Sequence, residues 1–552
     1  MRTAAFQKQG SRGTFVSFTV GLTALFAVLG LVGILHHEMW RDELQAWMLA
    51  RDSTSLIDLW ENMRTEGHPA LWHLCLYGLA KISPNPLLMQ LFHLGIATVN
   101  VCLIAKFSPF TRLQRSLLAF GYFNFYEYAI VSRSYSLGLL FILIFCSLYS
   151  WLQFRRTADQ TPDNQPQQTG QKSTSIVILL MCLALGLLAN TSVYGLLLSM
   201  TLALTLGLML VQQRDWHIPA HLSGWGLGLI GLLSSWLICY LQISRINLVE
   251  ADFKTALDES EAAESGVNLL IELAEVISKV WRSYVPIPAW WNEGVWNTNV
   301  LSDLNGLTIG GQSVGDGLAF LMALLLIGLV TKALWHQPKW LALYSLGTVG
   351  QLTFIAVFHA GNIRHHGHLF LLLLVCLWLA KTDRPSLTQP ASLQARLPQI
   401  KPARFQQRLL TVVLICHAFA GGLAYSLDLA QPFSGSKDTA DFLRSQNLAH
   451  LPIFGYNDYQ VSTIAGYLNR PIYYPNLDKF GSFWTIRVVI EPEEVAQQIP
   501  TFVNQREEPT VLILTDKLEQ PVPDVNYQYL AYIQSKLMKG ESFYIYLAKP
   551  VA

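Results

Sequence analysis

Apolar runs recur along this chain between short polar breaks, and their lengths predict membrane-crossing helices. A helix needs roughly 20 apolar residues to cross the hydrocarbon layer. Runs near that length cover 14–35, 86–106, 115–131, 134–154, 175–190, 193–212, 222–243, 317–335, 339–358, 363–381 and 409–427, eleven in all with two of them short. The first is too long for a signal-peptide core and has no small-residue cleavage site, so it reads as a retained span. A twelfth apolar segment, Pro69 to Ile82, stops at Ser83-Pro84-Asn85-Pro86. It either spans or lies along the interface.

Charge separates those two options. Cytoplasmic loops are enriched in Lys and Arg. If 69–82 does not span, one set of loops collects Arg2, Lys8, Arg12, Lys106, Arg112, Arg115, Arg155, Arg156, Lys172, Arg214, Lys332 and Lys339. The linker 381–408 adds six more basic residues to the same side, Lys381, Arg384, Arg396, Lys401, Arg404 and Arg408. Eleven spans then put the N-terminus inside and the C-terminus outside. Composition agrees with lipid as solvent: 14% of the 552 residues are charged and 52% hydrophobic, where soluble chains carry about 25% charged residues. A net charge of +1 argues against a nucleic-acid partner, which selects a basic excess. The seven cysteines lie in or beside apolar runs without a CxxC pair, and they read as packing residues.

The expected architecture is a polytopic α-helical membrane protein of about eleven transmembrane helices, with a C-terminal extracytoplasmic α/β domain. Residues 1–427 form the membrane domain, with outer loops at 36–85 and 244–316, and 428–552 form the soluble one. The first loop predicts two helical stretches. In the C-terminal region, strand-like runs at Pro452–Tyr456, Pro471–Tyr474, Val511–Thr515 and Phe543–Ala548 alternate with helical patterns around 437–446, 458–468 and 491–504, the pattern of an α/β unit. The Gln/Thr-rich stretch 157–175 reads as a disordered cytoplasmic loop.

Four polar clusters fall on the outer face. The first is His36-His37-Glu38-Met39-Trp40-Arg41-Asp42-Glu43; its carboxylates either begin a helix, where they favour the N-terminus, or serve chemistry. The second, Glu66-Gly67-His68-Pro69, is a turn onto a proline or a ligand site. The third runs from Tyr126-Glu127 to Arg133-Ser134-Tyr135 between two spans. Ionisable residues at membrane depth face a cavity or a partner, and a Glu127–Arg133 pair pinning two helices is the structural alternative. The fourth holds His359, Arg364, His365, His366 and His368. A divalent metal stays open there, and a basic patch at a helix head suits a phosphate. Together the clusters describe an outward polar cavity for an anionic or polar ligand, beside carboxylates able to act as base.

Trp40-Arg41-Asp42-Glu43 after the first span, Glu66-Gly67-His68-Pro69-Ala70-Leu71-Trp72, and Glu127 through Ser132-Arg133-Ser134-Tyr135 resemble, in order and spacing, the motifs of GT-C glycosyltransferases. The likeness is to the protein-mannosyltransferase-like and lipid A aminoarabinose-transferase-like branch. The resemblance implies transfer of a sugar from a polyprenyl-phosphate donor to a lipid, glycan or protein acceptor, with inversion, outside the plasma membrane. It implies Asp42 as base with Glu43 in support. Arg133 and Arg364 would answer the phosphate, with His68, His365 and His366 as further donors, Glu127 in the substrate site and Tyr135 orienting a cation. Membrane lipid is the other partner, and no cofactor is required by the resemblance. A transporter or flippase for a lipid-linked or anionic solute uses similar residues near the midplane. A non-catalytic assembly protein presenting 428–552 is the third reading.

Overall fold

The computed structural model describes residues 2–159, 168–212, 222–244, 267–304, 308–309, 312–383, 401–484, 492–506, 508–519 and 521–550. Its helices are α1 (Arg2–His36), α2 (Arg41–Asp52), α3 (Leu56–Asn62), α4 (Leu71–Ala80), α5 (Leu87–Phe107), α6 (Arg112–Ala119), α7 (Tyr135–Asp159), α8 (Gln168–Ala189) and α9 (Val193–Gln212). They continue with α10 (Leu222–Ile243), α11 (Val267–Tyr284), α12 (Val314–Leu334), α13 (Pro338–Val357), α14 (Ile363–Thr382), α15 (Lys401–Ala430), α16 (Ser436–Ser445), α17 (Asp458–Leu468) and α18 (Pro492–Asn504).

Among the described residues, eight helices are long and apolar enough to cross a membrane: those at Val16–His36, Leu87–Phe107, Tyr135–Arg155, Trp225–Ile243, Val314–Leu334, Pro338–Val357, Ile363–Thr382 and Arg404–Ala430. Thr174–Ala189, Val193–Met209 and Leu71–Ala80 are apolar but shorter. The chain is an integral membrane protein. Its outer helices expose apolar side chains such as Val20, Leu233, Leu321 and Val412, as a lipid-facing surface requires. Helix α14 is buried along its length from Ile363 to Ala380. That central position carries the polar head of α14 into the protein interior.

The run 115–131 differs from the expected span. Helix α6 stops at Ala119, and Tyr122–Ile130 winds as a π-helix, every residue of it buried. Gly121 and Gly421 allow the break: a Cβ on Gly421 would meet the Phe120 carbonyl oxygen at 2.6 Å and the Tyr122 nitrogen at 3.0 Å. Backbone meets backbone there, which only glycine permits. The expected loop at 157–175 is helical on both flanks, with 160–167 outside the described residues. In the 244–316 loop, residues 245–266 lie outside the described residues, and α11 follows, packed against α12 and α14.

A two-residue hairpin, β1 (Thr308–Ile309) and β2 (Gln312–Ser313), precedes α12. The C-terminal region forms a six-stranded sheet from β3 (Ile453–Tyr456), β4 (Ile472–Tyr474), β5 (Lys479–Gly481), β6 (Thr510–Leu514), β7 (Val525–Ile533) and β8 (Phe543–Pro550). Their order is β5-β4-β3-β6-β8-β7, with β3 parallel to β4 and β6 and the remaining pairs antiparallel. Ile453, Val511, Ile513 and Ile545 pack toward α16 and α17; Phe454, Leu512, Leu514 and Tyr546 pack toward α18. Both faces of the central strands are covered, which explains their nearly continuous apolar sequence.

This sheet domain sits on α2. The Gln45 amide donates to the Trp484 carbonyl oxygen at 2.7 Å and accepts from the Trp484 N–H at 3.2 Å. Tyr467 donates to the Met39 carbonyl oxygen at 3.3 Å, and the Arg41 N–H donates to Glu541 at 3.2 Å. Helix α2 is therefore held by both domains.

Candidate active site

Helix α1 ends at His36, and after a four-residue turn α2 begins at Arg41. Glu43 reaches back to accept the Trp40 N–H at 3.2 Å, half of a capping box. The helix-start reading therefore holds for Glu43. Its other oxygen accepts the Ser132 N–H at 2.6 Å, and His37 Nε2 lies 3.0 Å from the capping oxygen. His37 Nδ1 in turn meets Asp428 of α15 at 2.7 Å. Glu43 and His37 are sealed from solvent. Burial works against charge on His37, but the carboxylates of Asp428 and Glu43 outweigh it and hold the imidazole protonated well above its ordinary range.

Asp42 points the other way. Arg364 Nη2 donates to its Oδ2 at 3.0 Å, and Arg133 Nη1 lies 3.5 Å from the same oxygen. Arg133 Nη1 also donates to the Asp42 carbonyl oxygen at 2.5 Å. The Asp42 side chain keeps 18% exposure against 0% for Glu43. Burial pushes the Asp42 carboxyl up, and the charges of Arg133, Arg364 and Arg41 overcome it, leaving the group below the usual carboxylate range. Arg364 lies between two indoles, 5.1 Å from the Trp40 ring and 5.2 Å from that of Trp296. A guanidinium stacked in this way is fixed as well as charged.

Arg133 Nη2 also contacts His68 Nε2 at 3.3 Å. Burial and the Arg133 charge drop His68 to about 3, so its ring is neutral. With Nε2 accepting from the guanidinium, Nδ1 carries the proton. That Nδ1 is buried and has no partner among the described residues. The same is true of Nε and Nη1 of Arg364, the Tyr135 hydroxyl, Nε1 of Trp40 and Nε1 of Trp72. Native proteins leave few buried polar atoms unsatisfied, and each needs an explanation. Two of these side chains bear on Asp42: Arg364 contacts its carboxylate, and His68 contacts Arg133, which lies beside the same oxygen. Beside His68 and Arg133 lies a narrow cleft lined by Glu66, His68, Pro69, Trp72, His73, Arg133 and Ser134, with room for about one water-sized group.

The remaining sequence candidates are placed differently. Glu127 does not pair with Arg133: its Oε1 accepts from Tyr122 at 2.8 Å and from Trp296 Nε1 at 2.9 Å. It thereby fixes the indole that stacks on Arg364. Tyr135 bonds to no cation; its ring packs against Tyr128, His365 and His368. His365 Nδ1 accepts the Asn362 N–H at 2.8 Å, and His366 Nε2 donates to the Ala360 carbonyl oxygen at 2.9 Å. These two histidines shape the head of α14. Among the described residues, no three His, Cys, Asp or Glu side chains gather in a metal-holding group. Asp428 and Trp296 were missed from sequence. A lone carboxylate at the end of an apolar run was the available signal for Asp428, and no short motif marks Trp296.

The chain aligns with ArnT from Cupriavidus metallidurans in the apo state at 13% identity, over 97% of this chain and 98% of that one, with a TM-score of 0.44. Against ArnT from the same organism bound to undecaprenyl phosphate, identity is 12% over 96% and 98% of the two chains, with a TM-score of 0.43. No family model and no curated protein matches.

Proposed function

We propose that this chain is an inverting glycosyltransferase that moves a sugar from a polyprenyl-phosphate carrier to an acceptor hydroxyl on the outer face of the plasma membrane. The observation that carries the reading is the ionised Asp42 carboxylate, touched by two buried guanidiniums, one of which keeps donors without partners. The acceptor oxygen forms a bond to the anomeric carbon as the bond from that carbon to the phosphate oxygen breaks. The acceptor's proton passes to Asp42, and the electron pair leaves with the phosphate. Arg133, Arg364 and the neutral His68 answer the charge that grows on the leaving group.

The same geometry supports a timing device. A general base works best with a pKa near the operating pH, and Asp42 lies below that while both arginines face it. A donor phosphate competes for those guanidiniums. As the phosphate shares and neutralises their charge, Asp42 loses that stabilisation and becomes the stronger base, with donor already in place.

Counting α8 and α9 as short spans and the α6 and π-helix segment as a broken one, the membrane helices number about eleven. With the basic loops inside, an odd number would leave the N-terminus inside and the sheet domain outside, over α2. Transfer from a panel of radiolabelled polyprenyl-phosphate sugars, using membrane extract as acceptor, tests the reading. Product with wild type and none with Asp42→Asn is expected, and a chelator arm decides whether a divalent metal is needed. Equal behaviour of the two proteins, with solute moved across vesicles, would favour a transporter.

A further inference from the structure

We infer that His37 and Asp428 are positioning residues, forming with Glu43 a buried strut that ties the first and last membrane helices to the Ser132-Arg133 turn and so sets where Arg133 meets Asp42. The inference rests on the reading of Asp42 as the base and adds two residues outside the motifs that suggested it.

The chain of contacts is continuous. Asp428, near the end of α15, holds His37 Nδ1 at 2.7 Å, and His37 Nε2 holds Glu43 at 3.0 Å. Glu43 accepts the Ser132 N–H at 2.6 Å. The next residue, Arg133, donates to the carbonyl oxygen of Asp42 and lies 3.5 Å from its carboxylate. Glu43 thus has one oxygen on the Ser132 N–H and the other shared by the Trp40 N–H and His37. It anchors the peptide carrying the cation to the helix carrying the base. The strut needs a protonated imidazole, because only that form donates from both nitrogens to two carboxylates.

Every element packed on His37 contributes to this balance. Glu43 comes from α2 and Asp428 from α15, Tyr126 of the π-helix lies beside Asp428, and Phe433 covers the ring at 4.7 Å between centroids. Glu38 is the neighbouring titratable group, pushed up to about 8 by burial and then by Asp438. Because the pKa of His37 is raised, its contribution is present at low and neutral pH and lost as pH rises through the folded-state value.

The experiment uses full-length protein in lipid nanodiscs. It measures kcat, KM for the donor, binding of the polyprenyl phosphate and thermal melting across pH. Variants are His37→Gln, Asp428→Asn and, as a control, Glu38→Gln. Asp428→Asn is expected to lower kcat about 10–100-fold, the scale of a small misplacement of reacting groups, with carrier binding within about twofold. Its alkaline limb should move to lower pH, since His37 has lost a carboxylate. His37→Gln should lose that limb, and Glu38→Gln should keep it. A wild-type limb that follows Glu38→Gln instead, or an Asp428→Asn protein with wild-type kcat and limb, would overturn the strut. If wild type transfers no sugar, the transferase reading fails by itself. Melting then decides the strut: wild type should lose stability as pH rises through the titration of His37, and His37→Gln should not.

Discussion

Asp42 faces two guanidiniums and keeps partial exposure; Glu43, one residue on, faces a backbone N–H and an imidazole in a sealed pocket. Sequence pairs the two carboxylates, and both belong to the first turn of α2. The helix turns about 100° per residue, which is enough to send them to opposite sides of a wall. A carboxylate with partial exposure, held by cations that a ligand's phosphate can share, can accept a proton from a ligand. One whose oxygens are consumed by fixed donors can hold a peptide in place. Chemical identity is shared, and environment assigns the work.

The largest effect that can break this comparison is at Asp42 itself. Asp42→Asn should reduce kcat about 10²–10⁴-fold, the range for a lost general base, while purified protein still binds carrier lipid. Arg133→Gln and Arg364→Gln should each lower kcat about 10²–10³-fold and, unlike the aspartate change, should weaken carrier binding as well. Glu43→Ala reads out differently: breaking a buried ion pair costs about 3–5 kcal/mol, so thermal or denaturant unfolding should show a large loss of stability. Glu43→Gln retains an acceptor oxygen and should keep more activity than Asp42→Asn. The reverse order of those two substitutions would exchange the roles assigned to the two carboxylates.

The pH dependence sharpens the same contrast. Asp42 is held below the usual carboxylate range, so its ion pairs contribute stability above the unfolded value and lose it as pH falls through the folded one. In kcat/KM of the free enzyme, the acid limb should lie below that of an ordinary aspartate, near 3.9. Arg364→Gln should move it upward. The smallest effect is expected at the sheet domain's grip on α2: Gln45→Leu removes the exchange with Trp484 and should lower kcat a few-fold, with little change in carrier affinity.

Much of the scaffold was legible in the chain. The four expected strand runs and three helical patterns of 428–552 match β3, β4, β6, β8 and α16, α17, α18 closely, because buried central strands are apolar on both faces. The half-exposed edge strand β7 and the three-residue β5 carry no such signal and were missed. The π-helix was hidden too, since Tyr122–Ile130 is apolar enough to pass for a span and its break depends on Gly421, far away in sequence. Of the expected site residues, Asp42, His68, Arg133 and Arg364 come together in space. Glu127, Tyr135, His365 and His366 bond or pack elsewhere, through Trp296, ring stacking and the head of α14. Local sequence shows that a residue is unusual for its depth. The partner that decides its role comes from another helix.

The central claim is that Asp42 acts as base on an acceptor while the arginines hold the carrier. Single-turnover transfer from a labelled polyprenyl-phosphate sugar, run beside equilibrium binding of the same donor, tests it most directly. Asp42→Asn is expected to bind donor like wild type and to transfer no sugar on the wild-type timescale. Transfer by Asp42→Asn at the wild-type rate, with donor bound equally, would contradict it.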